Sequence, residues 1–157
     1  LKKLVLPLFL IPAFILLNGC SKNKSCEPRT PASETAEIQA FATAKGINAS
    51  VDPSGVYYQI MNPGGPDKPN ASSKIVITYT GQLLNGQVFD QMNTPNQSQP
   101  WTLGTLIPGW VTGLPHIGKG GSIKLIIPSS LAYGCMSNGV IPSNSILYFE
   151  IQLVDFM

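Results

Sequence analysis

The sequence predicts an α+β fold: one antiparallel sheet with a single buried face, covered by one short helix. Three observations carry this. KIVITYTG (74–81), SIKLII (122–127) and ILYFEIQLV (146–154) alternate apolar and polar residues with the period of two that a half-buried strand requires. LLNGQVFD (83–90) sets Asn85-Gly86 between two strand-like pieces, the strongest short hairpin signal. LIPGWVTGLPHIG (106–118) is the only helical candidate among the strands.

The first twenty residues stand apart. Lys2-Lys3 precedes an uncharged apolar run, Leu4 to Leu17, too short to span a bilayer comfortably. Leu17-Asn18-Gly19-Cys20 follows. This reads as a signal peptide over residues 1–19. The LNGC motif resembles the lipobox of bacterial lipoproteins, which implies cleavage before Cys20 and a lipid on that cysteine. An exported protein anchored to the cell envelope is therefore expected. Removing 1–19 removes Lys2 and Lys3 and takes the formal charge from +2 to 0. No basic stripe remains to bind nucleic acid.

Residues 20–32 are polar, include Pro28 and Pro31, and read as a tether. Residues 33–51 read as a short helix and connector. Ser33 is the expected N-cap, Gly46 the C-terminal stop, and Ile38, Phe41 and Ala42 the apolar face. Such a helix either packs on the domain or spaces it from the membrane, and the segment 21–46 is expected to be dispensable for activity. Cys26 and Cys135 are the two cysteines besides Cys20. A disulfide between them is open to an exported protein. Two free thiols are the favoured expectation, because a loose tail rarely holds a fixed partner geometry. With one histidine, His116, and no CxxC, a zinc site is not expected. His116 itself reads as a surface loop residue without an acid partner.

From Gly55 the pattern is β. GVYYQIM (55–61) is the first strand candidate, and NPGGPDKPN (62–70) after it is turn chemistry. QMNTPNQSQP (91–100) is a long polar loop. In the 106–118 segment, Trp110, Leu114 and Ile117 share one helix face. Pro108 suits the first helical position, and Pro115 stops the helix at Leu114. Gly109 and Gly113 each cost about 1 kcal/mol in a helix interior relative to Ala. So poor a helix is explained if it lies across the sheet and the glycines permit close approach.

YTGQLLNGQVFD (79–90), LGTLIPGWVTGL (103–114), KGGSIKLIIPSSLAYG (119–134) and GVIPSNSILYFEIQL (139–153) together resemble the FKBP-type peptidyl-prolyl cis–trans isomerases. The resemblance covers residues 52–157, the expected isomerase domain. It implies a half-open, twisted antiparallel sheet wrapped around one short helix. It implies rotation about X-Pro bonds in proline-containing polypeptides, without a metal or cofactor, and macrolide inhibitors such as tacrolimus and rapamycin. Trp110 matches the floor of an aromatic pocket for the proline ring. Tyr79, Phe89 and Trp101 match its walls, and Leu106 and Ile107 the strip whose backbone N–H meets a substrate carbonyl. Asp90 and Tyr133 match the side chains that orient the peptide by hydrogen bonds, with neither acting as a general acid or base. Ile141 and Phe149 match the far wall. Gln99 stands where many members carry a further aromatic, so a wetter rim is expected. Without the resemblance, Tyr79, Phe89 and Trp110 read as core and Asp90 as a solvated or turn-capping carboxylate. The rival function is a non-catalytic peptide-binding or chaperone lipoprotein on the same fold.

Overall fold

The computed structural model describes residues 25–157. The signal-peptide and lipidation readings, Cys20 included, lie outside the described residues. In chain order the main elements are helix α1 (Pro31–Ala44), strands β1 (Ser50–Val51), β2 (Tyr57–Asn62), β3 (Lys74–Leu83), β4 (Val88–Met92) and β5 (Trp101–Thr102), helix α2 (Pro108–Gly113), and strands β6 (Ser122–Ile127) and β7 (Leu147–Phe156).

The strands form one antiparallel sheet in the order β1-β2-β6-β7-β3-β4, with β5 also on β3. The ten-residue strands β3 and β7 make its centre, with Ile77 opposite Leu153, Tyr79 opposite Ile151 and Gly81 opposite Phe149. That register places the alternating apolar residues of β3, β6 and β7 on one face. There Ile75, Ile77, Ile123, Leu125, Ile127, Ile151 and Leu153 bury against Trp110, Leu114 and Ile117. The Asn85-Gly86 hairpin forms as expected, with Gly86 at φ +88° and its N–H donating to Leu83 O.

Helix α2 begins at Pro108, directly after its N-cap Ile107, and Leu114–His116 continue it as a 3₁₀ turn around Pro115. The glycines allow the close approach. A Cβ on Gly109 would sit 2.3 Å from Ile127 Cγ2, and one on Gly113 2.7 Å from the Leu125 side chain. The helix propensity lost at these two positions is the condition for seating Trp110 on the sheet.

Four expectations are corrected. The outer face of the sheet is not wholly solvated: α1 lies on part of it, and Ile38, Phe41 and Ala42 bury there with Tyr57, Ile126, Ile146 and Tyr148. Tyr148, placed by alternation on the polar side, is therefore buried. The helix also starts earlier than Ser33. Thr30 is the N-cap, Pro31 is in the first turn, and Thr30 and Ser33 cap each other's backbone. Cys26 and Cys135 are joined by a disulfide, with a Cα–Cα distance of 5.6 Å. The tail is not loose, because the Asn144 amide donates to Glu27 O at 2.8 Å, and Arg29 pairs with Glu34 and Glu37. Finally, His116 has an acid partner: its Nε2 is 3.2 Å from Asp52 Oδ2, and its ring stacks on Tyr58 at 4.0 Å. The Ser54 backbone N–H and, to a lesser extent, His116 hold the Asp52 carboxyl below its usual range.

Candidate active site

At the N-terminal end of α2 the sheet leaves a cavity of about 190 Å³. Tyr79, Phe89, Asp90, Trp101, Leu106, Ile107, Trp110, Tyr133 and Phe149 line it. Of the ten candidate contact residues, only Ile141 lies elsewhere. It lines an adjoining hollow of about 370 Å³ with Phe89, Asp90, Tyr133 and the Asn138–Val140 turn.

Each wall has a local cause. Tyr79 and Phe149 come from the central pair β3–β7 and point to the inner face. Both rings stand nearly perpendicular to the Trp110 indole, at 78° and 81°, with centroids 5.1 Å away. Edge-to-face contacts of this kind fix ring orientation as well as bury area. Trp110 is 4% exposed, less than a partly accessible floor would suggest, because the two upright rings shield its rim. Its indole N–H is buried and has no hydrogen-bond partner among the described residues.

Phe89 and Asp90 are adjacent in β4, so a regular strand would point them to opposite faces. A register shift resolves this. Gly81 pairs with Asp90 and Gln82 with Val88, leaving Phe89 as the extra residue of a bulge. Bulges re-aim side chains, and here both residues reach the cavity. Gly81 makes room, since a Cβ there would lie 2.7 Å from the Phe89 ring and 2.8 Å from that of Phe149.

The Tyr79 hydroxyl donates to Asp90 Oδ2 at 2.5 Å. Burial first, and this bond second, push the Tyr79 hydroxyl well above the ordinary tyrosine range, so it stays protonated and a donor. Asp90 is thereby held at the cavity edge, with Oδ1 free of partners among the described residues. The Leu106 N–H is used internally, donating to Leu103 O. The Ile107 N–H, at the mouth of the cavity, meets no acceptor among the described residues. The Tyr133 hydroxyl is likewise without a partner among them.

Trp101 reaches the cavity because β5 pairs with the start of β3, Ile75 opposite Trp101. The long loop 93–100 leaves β3 between β5 and β4. Asn96 fills the gap, its Oδ1 accepting the Ile77 N–H at 3.0 Å. An Asn in a polar loop carries no sequence signal for this role. Gln99 is exposed and is not among the residues of the cavity wall.

An open antiparallel sheet closed by one short helix, with an aromatic cavity at that helix's start, is the FKBP-like arrangement. The profile of the FKBP-type peptidyl-prolyl cis-trans isomerases matches residues 65–154, and the chain belongs to that family. It is 40% identical over 117 residues to the FKBP-type peptidyl-prolyl cis-trans isomerase FkpA of Escherichia coli K12, an alignment covering 74% of this chain and 43% of FkpA. The crystal structure of Escherichia coli FkpA superposes with a TM-score of 0.68 at 37% identity, over 80% of this chain and 58% of that one. A peptidyl-prolyl cis-trans isomerase of Pseudomonas syringae gives a TM-score of 0.67 at 31% identity, over 83% of this chain and 97% of that one. The chain thus spans about half the length of the curated relatives it matches.

Proposed function

We propose that this chain accelerates rotation about X-Pro bonds by seating the proline ring on Trp110. The observation that carries this reading is the aromatic box itself, with Tyr79 and Phe149 upright on the Trp110 indole and Asp90, Tyr133 and the Ile107 N–H at its mouth. The barrier is that of a partial double bond, about 18–20 kcal/mol. No bond to carbon breaks, so the chemistry asks for no nucleophile. Four decades of acceleration require about 5.4 kcal/mol of differential binding to the twisted amide. A dry aromatic site favours that amide, which is less charge-separated than the planar one. The Ile107 N–H would hold the substrate carbonyl, while Asp90 and Tyr133 orient the flanking peptide. The test is the isomerisation rate of a short X-Pro peptide, with catalysis proportional to protein concentration as the expected result. Binding without turnover would favour the rival, a peptide-binding chaperone.

The two polar side chains are expected to differ. Asp90→Ala should weaken peptide or macrolide binding about 10- to 150-fold, since a hydrogen bond to a charged group is worth about 1.5–3 kcal/mol. It should also lower the melting temperature, because the buried Tyr79 hydroxyl loses its acceptor; Asp90→Asn keeps an acceptor and should recover the stability. Tyr133→Phe should cost binding only about 2- to 10-fold. Equal effects of Asp90→Ala and Tyr133→Phe on binding, at equal stability, would contradict these roles.

We further propose that the protein is exported and lipid-anchored, acting on envelope proteins. The apolar run before LNGC supports this, as does a disulfide, which persists in oxidising compartments. Cys20→Ser should abolish lipid labelling; unchanged membrane attachment would refute the anchor.

A further inference from the structure

We propose that the N-terminal arm, residues 25–44, positions Tyr133 from outside the family-matched region, and that reducing the Cys26–Cys135 disulfide loosens this hold and lowers turnover. The inference rests on the isomerase reading above.

Tyr133 sits in the stretch Ser129 to Cys135, and the arm grips both ends of it. At the first end, Ser129 donates its N–H to Glu34 Oε2 at 2.7 Å and its hydroxyl to Glu34 Oε1 at 2.6 Å. Both residues are 0% exposed, and Arg29 Nε lies 3.3 Å from Glu34 Oε1. At the second end, Cys135 is bonded to Cys26 across a sequence separation of 109 residues. Asn144 reinforces this end. It donates from its amide to Glu27 O at 2.8 Å and from its backbone N–H to Gly134 O. Within the stretch the backbone bonds are short-range, from Leu131, Ala132 and Gly134 to Pro128 and Ser129. The Tyr133 hydroxyl has no partner of its own among the described residues. Its position therefore follows from ring packing and from a backbone pinned at both ends by the arm. Both arm residues, Cys26 and Glu34, lie before the family-matched region 65–154.

Both cysteines are half-buried and within reach of a small dithiol. A dithiol thiolate attacks one sulfur, the protein S–S bond breaks, and a mixed disulfide forms. The second thiol then closes a cyclic disulfide. Two electrons pass to Cys26 and Cys135, each of which takes a proton. The Glu34–Ser129 pin and the Asn144 N–H bond to Gly134 O remain, so the stretch loses its covalent hold at one end only.

The experiment measures kcat/KM on an X-Pro peptide, and tacrolimus affinity, for the full chain before and after dithiothreitol, below the melting temperature of the reduced form. Reduction should lower both about 2- to 10-fold, the value of one neutral hydrogen bond, and reoxidation should restore them. Cys26→Ser should sit at the reduced level and ignore the dithiol. In a Tyr133→Phe background reduction should have little further effect, as expected when both changes act on one hydroxyl. Glu34→Gln, with the disulfide intact, loosens the other pin and should show the same dependence on Tyr133. It also keeps the test available if the reduced chain unfolds. A merely structural disulfide predicts a lower melting temperature with kcat/KM and affinity unchanged in the folded protein; that result, or an undiminished loss in Tyr133→Phe, overturns the proposal. An oxidised chain that binds tacrolimus but does not turn over removes the isomerase reading alone, and the affinity arm still decides this one. A chain that does neither overturns both.

Discussion

Trp110→Leu is expected to cut ligand affinity and isomerase activity about 10- to 50-fold in a domain that still folds. Leu keeps an apolar floor but loses the flat surface and the two edge-to-face contacts with Tyr79 and Phe149. Lost contact with the proline ring of about 1.5–2.3 kcal/mol corresponds to about 10- to 50-fold weaker binding. The stability balance is different. Truncating a buried Trp to Ala costs about 3–5 kcal/mol, and Leu retains part of that volume. In addition, the indole N–H is buried without a partner among the described residues, so removing it recovers part of a desolvation cost of about 1–3 kcal/mol. A net loss of about 1–3 kcal/mol in unfolding free energy is expected. Denaturant unfolding and tacrolimus titration of the same variant separate the two quantities. A variant that loses stability but binds normally per folded molecule would make Trp110 a core residue only.

Deleting residues 1–46 is expected to destabilise the domain severely, against the expectation that this segment is dispensable. Three losses coincide. The Cys26–Cys135 disulfide goes, typically about 2–5 kcal/mol in a small secreted domain. Ile38 and Phe41 leave Tyr57, Ile126 and Tyr148 uncovered, and each such side chain is worth about 1.5–3 kcal/mol when buried. Ser129 loses both of its bonds to Glu34. Any two of these approach the whole stability of a domain, about 5–15 kcal/mol. A fragment from Gly55 should therefore be unfolded or aggregated, whereas one from Ser25 should melt cooperatively. If the Gly55 fragment folds with an unchanged melting temperature, α1 is only a spacer.

The residues divide by how local their signals are. Ile75, Ile77 and Tyr79 announce their face by alternation alone, and Asn85-Gly86 announces its turn. Trp110 could be placed on the sheet because Gly109 and Gly113 make sense only if something lies against them. Family resemblance then gathered Asp90, Tyr133 and the wall aromatics, which no periodicity links. The missed features are pairings between distant segments. Glu34 sits on the buried face of α1 at the spacing of Ile38 and Phe41, but a carboxylate there signals solvent until Ser129 is known to face it. Tyr148 reads as polar-side until α1 covers it. The Cys26–Cys135 bond depended on Asn144 anchoring the tail, a contact the sequence does not announce. The start of α1 was legible, since Thr30-Pro31 with Ser33 three residues after the threonine is an N-cap, first-turn proline and capping box in order. The bulge that brings Phe89 and Asp90 to one side has a weaker trace in Gly81, a glycine inside a strand.

The central claim, that the cavity over Trp110 is where isomerisation occurs, is tested most directly by one titration. In a Trp101→Phe chain, Trp110 is the remaining indole, so its fluorescence reports the cavity floor. Tacrolimus is added stepwise while that fluorescence and the isomerisation rate of an X-Pro peptide are recorded on the same samples. If isomerisation occurs in this cavity, the two change together, with one midpoint and with catalysis lost when the fluorescence saturates. Activity that persists after saturation, or is lost while Trp110 fluorescence stays constant, would contradict it.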